Sequence, residues 1–342
     1  MALLVVEGFE GFGTGTGAAP QPTDALGRAY TVAGESAMDI EAGRISGYSL
    51  EFGHAGCQFA TGTLTTDDTL IIGFGIKFPS LLNTPIFLKL YDGVTLGVNL
   101  KLSTAGEIKV YRGVTLLDTS AVVITAGVWY YMEVKVKCHD STGTYEVHLG
   151  EANILSGSGA DTQAGANAYH DIVAFETDAN NFLSWDDIYI CDSTGAQNND
   201  FLGNSVVVAI VPDGDNAAGW TTASGGSDHY LDIDENPADD DTTYVEDGTS
   251  GHKDLYDYAA MPAAIGAIKG LAVKTVCRET DANSFSLVMP INSNGTETDD
   301  TAQAIGTTSY VTLTRISELD PDTSAAWLKA GINAAKFGVK VD

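Results

Sequence analysis

The chain is short of positive charge. Lys and Arg number 17 against 46 Asp and Glu, a formal charge of −29 over 342 residues. A duplex-binding face must be basic enough to displace the counterions of the phosphate backbone, and a membrane-surface protein needs Lys and Arg to meet anionic headgroups. Neither supply exists here, so no nucleic-acid partner is expected. No apolar run reaches ~18 residues, so no membrane insertion by a helix is expected either. The start, Met1 to Val6, is apolar but has no basic region before it and runs straight into Glu7. It reads as a first strand rather than a secretory signal.

Other chemistry-bearing patterns are missing too. Cys57, Cys138, Cys191 and Cys277 stand far apart with no C-x-x-C pair, which argues against a zinc ribbon or a redox motif and for small buried hydrophobes in a reducing cytoplasm. The six histidines, His54, His139, His148, His170, His229 and His252, show no H-x-H or H-E-x-x-H spacing for zinc. There is no G-x-S-x-G elbow for a serine hydrolase. The glycine run Gly8, Gly11, Gly13, Gly15, Gly17 is not followed by the Lys of a phosphate-binding loop. No heptad pattern is sustained.

What the chain does have is material for β structure. With 44% hydrophobic residues it can build a core. Asp outnumbers Glu 31 to 15, a bias toward turns rather than helices. Strand-like runs recur at Asp68–Phe78, Pro85–Tyr91, Leu96–Leu102 and Glu107–Tyr111. In Val128–Cys138, Met132, Val134 and Val136 alternate with Glu133, Lys135 and Lys137, the period of a strand with one wet face. Asp140-Ser141-Thr142-Gly143 turns this run into Thr144–Leu149. His170–Glu176 and Phe182–Cys191 form a further pair. Strands punctuated every 8–12 residues by Gly, Asp and Asn indicate a sandwich.

Composition shifts after Asp192, through the small polar run Ser193–Asn199. The expected organisation is a first domain over 1–195 and a second β domain over 204–342, opening with an apolar strand at Val206–Val211. Asp213–Asp257 holds thirteen acids against one base, Lys253, and reads as a turn-rich insertion anchored by Trp220, Tyr230, Tyr244 and Tyr256. A short helix is expected within Ala325–Ala335, weakened by Gly331, before a closing strand at Phe337–Val341. One echo is internal: Glu176-Thr177-Asp178-Ala179-Asn180-Asn181-Phe182 recurs as Glu279-Thr280-Asp281-Ala282-Asn283-Ser284-Phe285. It fits either a shared hairpin turn or two related sandwiches in tandem.

The stretch Val128-Trp129-Tyr130-Tyr131-Met132-Glu133-Val134-Lys135-Val136, its partner Gly143-Thr144-Tyr145-Glu146-Val147, and the run Trp185-Asp186-Asp187-Ile188-Tyr189-Ile190 resemble a concanavalin A-like, or laminin G-like, jelly roll. The continuation is similar to structural proteins of tailed-bacteriophage virions that carry such a lectin-like domain before a second β domain. It runs from Asn199-Asp200-Phe201-Leu202-Gly203 through Val206–Asp215, Trp220-Thr221, His229-Tyr230, Asp240–Val245 and Asp320-Pro321-Asp322-Thr323 to Trp327 and Asn333–Lys340. The resemblance spans nearly the whole chain. It implies an all-β protein, a jelly-roll sandwich followed by a second sandwich-like domain with a short C-terminal helix. It also implies a virion component assembled in the host cytoplasm, whose partners are copies of itself and other virion proteins. It does not separate capsid decoration from tail or baseplate placement.

Three chemistries compete at the level of residues. Retaining glycoside cleavage needs two carboxylates about 5–5.5 Å apart, supplied in laminarinase-type enzymes by E-x-D-x-E or E-x-D-x-x-E on one strand. Glu176-Thr177-Asp178 has the first two acids and then Asn180 and Asn181 where the third belongs. Asp186 and Asp187 are neighbours, and neighbours on a strand face opposite ways. The expectation is therefore no enzyme, with a glycan depolymerase as an alternative. Glycan binding, as in a host-receptor adhesin, is another; Trp220 is the surface aromatic placed to stack on a sugar. No cofactor is expected unless calcium, which takes six to eight oxygens, is held by Asp232, Asp234 and Asp240. The competing reading is a hydrated acidic surface, with Arg278 and Arg315 pairing one or two of its acids.

Overall fold

The computed structural model describes residues 2–12, 22–180, 182–280 and 285–342. Gly13, Gly15 and Gly17 of the glycine-rich run, Asn181 of the first repeat copy and residues 281–284 of the second lie outside them. The chain is all-β and divides into two compact units, residues 1–208 and 209–342.

The first unit is a sandwich of two antiparallel sheets built from β1 (Leu3–Glu7), β2 (Thr31–Ala33), β3 (Met38–Ala42), β4 (Tyr48–Phe52), β5 (Cys57–Ala60), β6 (Thr69–Lys77), β7 (Ile86–Asp92), β8 (Thr95–Leu102), β9 (Glu107–Arg112), β10 (Thr115–Val122), β11 (Trp129–Lys137), β12 (Gly143–Leu149), β13 (Ala152–Ala160), β14 (Ile172–Thr177) and β15 (Leu183–Asp192). The eight-stranded sheet runs β13-β12-β11-β6-β15-β4-β3, with β1 added to β15; the seven-stranded sheet runs β10-β9-β8-β7-β14-β5-β2. This is the expected jelly-roll architecture. Side chains at alternate positions meet between the sheets: Ile72, Phe74 and Ile76 of β6, Met132, Val134 and Val136 of β11, and Trp185 of β15 face Leu88, Leu90, Val98, Leu100 and Phe175 from the other side. Phe59 stacks on Phe175 with centroids 4.9 Å apart and takes the edges of Phe9, Tyr30 and Phe52. Cys57, Cys138 and Cys191 are buried thiols outside any disulfide.

The second unit has its own core, with Trp327, Met289, Ile291, Ile332 and Phe337 at its centre. Its main sheet pairs Pro212–Ala218 with Lys253–Tyr258, then Lys336–Val341, then Ser286–Val288, and the hairpin Ile291–Ser293/Thr296–Thr298 also joins Lys336–Val341. Leu271–Cys277 and Val311–Ser317 form a separate ribbon. The C-terminal helix is Lys329–Ala334, shorter than the expected span. Two expectations need correction. Val206–Val211 is irregular, and the strand starts only at Pro212. Residues up to 208 belong to the first unit because they run over its eight-stranded sheet, and their amides bond to side chains there rather than to a neighbouring strand.

Candidate functional site

The outer face of the seven-stranded sheet is the part of the first unit built like a site. Registers fix a row across it: Ala60 faces Ala174, Ala174 faces Lys89, Lys89 faces Asn99, and Asn99 faces Tyr111. The residues between these point into the core, as strand alternation requires. Glu176 lies one step along β14, facing Gln58. Lys89 forms an ion pair with Glu176, both side chains mostly buried. Burial alone would lower the Lys89 ammonium's pKa, but its bond to Glu176 outweighs that and the net shift is upward. Burial raises the Tyr91 hydroxyl, with Lys89 opposing. Ala60, Ala174 and Gly97 are small and leave the floor low; Lys89, Tyr91 and Tyr111 are half-buried over it, while Asn99 is buried and its Nδ2 donates to Gly113 O.

The loop between β13 and β14 closes one end of this face. Arg112 Nη1 pairs with Asp161 at 2.6 Å, Asp92 accepts the amide and side-chain nitrogens of Asn167, and Gly93 N donates to Asp171. His170, at the loop's end, lies over Gly97: a Cβ there would sit 2.2 Å from Nε2. The ring is 2% exposed, and Nε2 has no hydrogen-bond partner among the described residues. Burial pushes its pKa down to about 4, against the pull of Asp92 and Asp171.

The opposite face, on the eight-stranded sheet, is polar but covered. Glu133 accepts from Tyr189 Oη and from Gly203 N at 2.8 Å; Tyr189 Oη accepts from Leu202 N; Asp187 accepts from Val207 N at 2.8 Å. Arg44 reaches Asp187, Asn204 Oδ1 and Ser205 O, and packs over Tyr131. Phe201 packs on His148. Residues 200–208 thus strap the face. The expectation that Asp186 and Asp187 face opposite ways fails here. The register slips between Asp186 and Tyr189, Asp187 takes φ 52, and Arg44 binds both: Asp186 through its backbone N and Asp187 through its side chain. A bulge re-aims a side chain that simple alternation would send away.

The residues singled out in the second unit serve other roles. Trp220 is half-buried; its amide donates to Asp254 and its Nε1 to His252 O. Asp232 ends the 3-10 turn His229–Asp232 and accepts from Ser224 N and Oγ, so it is buried and shares no strand face with Asp234. Asp240 holds a left-handed turn position, φ 62. Among the described residues no three His, Cys, Asp or Glu side chains gather as a metal site, and the trio Asp232, Asp234, Asp240 is not brought together. Arg278 pairs with Asp241 as anticipated. Arg315 instead donates to the carbonyls of Met289 and Thr298. Glu176 and Asp178 are also occupied, by Lys89 and by Ile86 N. The Lys89 row escaped the sequence reading, although the polar positions of I-F-L-K-L-Y alternate and could have exposed it.

No family model and no curated protein matches the chain. Among solved structures it is similar to endo-β-1,4-glucuronan lyase from the fungus Trichoderma reesei (10% identity, TM-score 0.38, 47% of this chain and 90% of that one). It is similar to the alginate lyase Aly36B (13%, TM-score 0.39, 55% and 96%). It is also similar to domain 4 of the arabinanase AbnA from Geobacillus stearothermophilus (16%, TM-score 0.35, 45% and 75%).

Proposed function

We propose that the chain is a non-enzymatic structural subunit of a tailed-phage virion that offers the outer face of its seven-stranded sheet to a host-surface glycan. The observation that supports glycan binding is the row Lys89–Asn99–Tyr111 with Tyr91 and Glu176 beside it, standing over Ala60 and Ala174. Tyrosine rings give flat apolar area with a polar tip, and the ammonium and carboxylate beside them match sugar hydroxyls. The virion assignment rests on the sequence motifs that run through both units. What supports a non-enzymatic role is that the acids of the laminarinase-type motif are engaged elsewhere: Glu176 pairs with Lys89, and Asp178 caps a strand amide.

The test has two arms. Antibody labelling of purified particles should place the chain on the virion; a chain found only as a soluble host protein overturns the reading. A glycan array probed with the full chain should give binding that K89A/Y91A abolishes. Shortening of a bound polysaccharide, followed by size-exclusion chromatography, would replace the adhesin reading with a depolymerase.

A further inference from the structure

Positive charge is scarce in this chain, 17 bases against 46 acids, yet the outer face of the seven-stranded sheet gathers three lysines. The core takes Leu100 and Leu102 of β8 and Ile108 and Val110 of β9, so alternation turns Lys101, Lys109 and Tyr111 outward. Lys101 stands directly opposite Lys109, one step along from the Asn99–Tyr111 pair, and both are half-buried. Ile86 lies beyond Lys101 and Thr119 beyond Lys109. Directly opposed residues hold their Cβ atoms about 4.5–5.5 Å apart, and two like charges there repel. An acid at either end of this row would relieve the repulsion, but the flanking positions are an isoleucine and a threonine.

The acids near the pair are few and committed. Glu107, two residues before Lys109 on β9, lies 3.8 Å from its ammonium, and its Oε2 also accepts from Ser103 Oγ. Lys101 has no ion pair among the described residues. Glu176 is taken by Lys89, Asp178 by Ile86 N, and Asp118 turns to Tyr145 Oη. The outward positions of β14, β7, β8 and β9 thus set Lys89, Lys101 and Lys109 against Glu176 and Glu107, a small excess of positive charge in a chain of −29. Beside the two lysines lies flat apolar surface. Tyr111 is next to Lys109 on the same face, and Leu116, 49% exposed, faces Tyr111 from β10.

We propose that the glycan received by this face is an acidic one, and that Lys101 and Lys109 seat one of its anionic groups, a carboxylate or a sulfate, while the sugar ring lies on Tyr111 and Leu116. The inference rests on the glycan-binding reading of the same face and adds the charge of the ligand to it. An anion between two ammoniums ends the repulsion across the strand pair and takes charge-assisted hydrogen bonds from both. A neutral sugar leaves that repulsion in place. Lysine suits the task, because its ammonium is a point charge on a flexible stem and can follow an anion carried on a sugar ring. Lys89 is not part of the seat, since Glu176 already neutralises it. The net charge of the chain opposes the approach of a polyanion. In physiological salt, however, exposed charges more than ~8 Å apart are largely screened, so the lysines in contact outweigh acids elsewhere on the surface.

Binding of the full chain to three immobilised polymers at physiological salt tests it: polygalacturonate, dextran sulfate and uncharged dextran, with circular dichroism melts as the check on folding. An acidic polymer should be bound and dextran should not; the better of the two acidic polymers identifies the anion as carboxylate or sulfate. K101A/K109A should weaken that binding about tenfold or more, and K101R/K109R should keep it. K269A/K274A, which removes the same charge from the second unit, should leave it unchanged. Acidic polymer held equally well by K101A/K109A overturns the proposal. So does binding confined to neutral glycans and abolished by K89A/Y91A, which leaves the face a glycan site with a ligand of the other kind. Failure of every polymer and every array glycan to bind overturns the glycan-binding reading itself, and this inference with it.

Discussion

His170 makes the first unit sensitive to acid in a way that can be calculated. Its ring is buried over Gly97, and burial lowers its pKa from 6.5 to about 4. A base whose pKa is depressed on folding is bound by protons more readily when unfolded, so its contribution is intact above pH 6.5 and is lost as pH falls toward 4. The full difference, about 2.5 units at 1.36 kcal/mol each, is about 3 kcal/mol, most of it gone by pH 4.5. Asp186 works in the opposite sense over the same window. Burial, with Asp187 beside it, lifts its carboxyl to about 7, so its contribution grows as pH falls below 7 toward the unfolded value. The wild-type curve alone therefore blends two slopes. Urea unfolding of wild type and His170→Asn at pH 8, 6.5, 5.5 and 4.5 separates them. The variant should start less stable at pH 8, because it loses packing over Gly97. The gap should then close by about 2–3 kcal/mol at pH 4.5. Parallel curves would mean that His170 is not held neutral in the fold.

Gly97→Ala should cost about 1–3 kcal/mol by driving a methyl group into the imidazole; combined with His170→Asn the two costs should be clearly less than additive in urea melts. Tyr189→Phe removes a donor from the buried Glu133 carboxylate and should cost about 1.5–3 kcal/mol, with faster hydrogen exchange at Leu202 and Gly203, whose amides it helps to hold. Arg315→Met strips the carbonyls of Met289 and Thr298 of their donor and should destabilise the second unit by about 2–4 kcal/mol, while leaving unfolding of the first unit unchanged. Millimolar calcium should leave the thermal melt where chelator leaves it; a rise that Asp232→Asn and Asp234→Asn together abolish would restore a calcium site.

The fold was legible where one physical rule acts alone. Met132, Val134 and Val136 alternate because β11 has one face in the core, and those positions are buried as the period demands. The rule failed where a second layer arrives. Glu133 sits on the outward phase of the same strand, yet it is buried, because residues 200–208 cross above it. Val206–Val211 has the composition of a strand, but composition cannot say whether amides will meet a neighbouring strand or a set of side chains. The Asp186–Asp187 bulge is of the same kind: a left-handed residue between strand residues is set by the Arg44 contact some 140 positions away, not by local sequence. The site row was hidden differently. Lys89, Asn99 and Tyr111 are ordinary polar positions on the outward phase of their strands one at a time, and only the registers of three strands put them side by side.

The acidic stretch puts some of its carboxylates to a use that a charge run does not announce. Thirteen carboxylates lie within Asp213–Asp257, and with one local base they invite either hydration or a cation. Two of them, Asp232 and Asp254, are buried, and several others also hold backbone amides. Asp254 is fully buried and takes hydrogen bonds from Gly219 N, Trp220 N, His229 Nδ1 and Tyr256 Oη. Asp215 takes the amides of His229 and Tyr230, Asp239 the amide and hydroxyl of Thr243, and Asp247 the amide of Thr249. Each carboxylate replaces a strand partner that a turn-rich segment lacks, satisfying backbone donors that would otherwise be costly to bury. Asp239 and Asp247 bond amides four and two residues away, a reach that suits the short side chain of Asp, whereas Asp215 and Asp254 bridge to amides 14 or more residues off. An acid committed to two or more donors has few lone pairs left for a metal ion. The same kind of bonding engages Asp232, whose Oδ2 accepts from Ser224 N and Oγ.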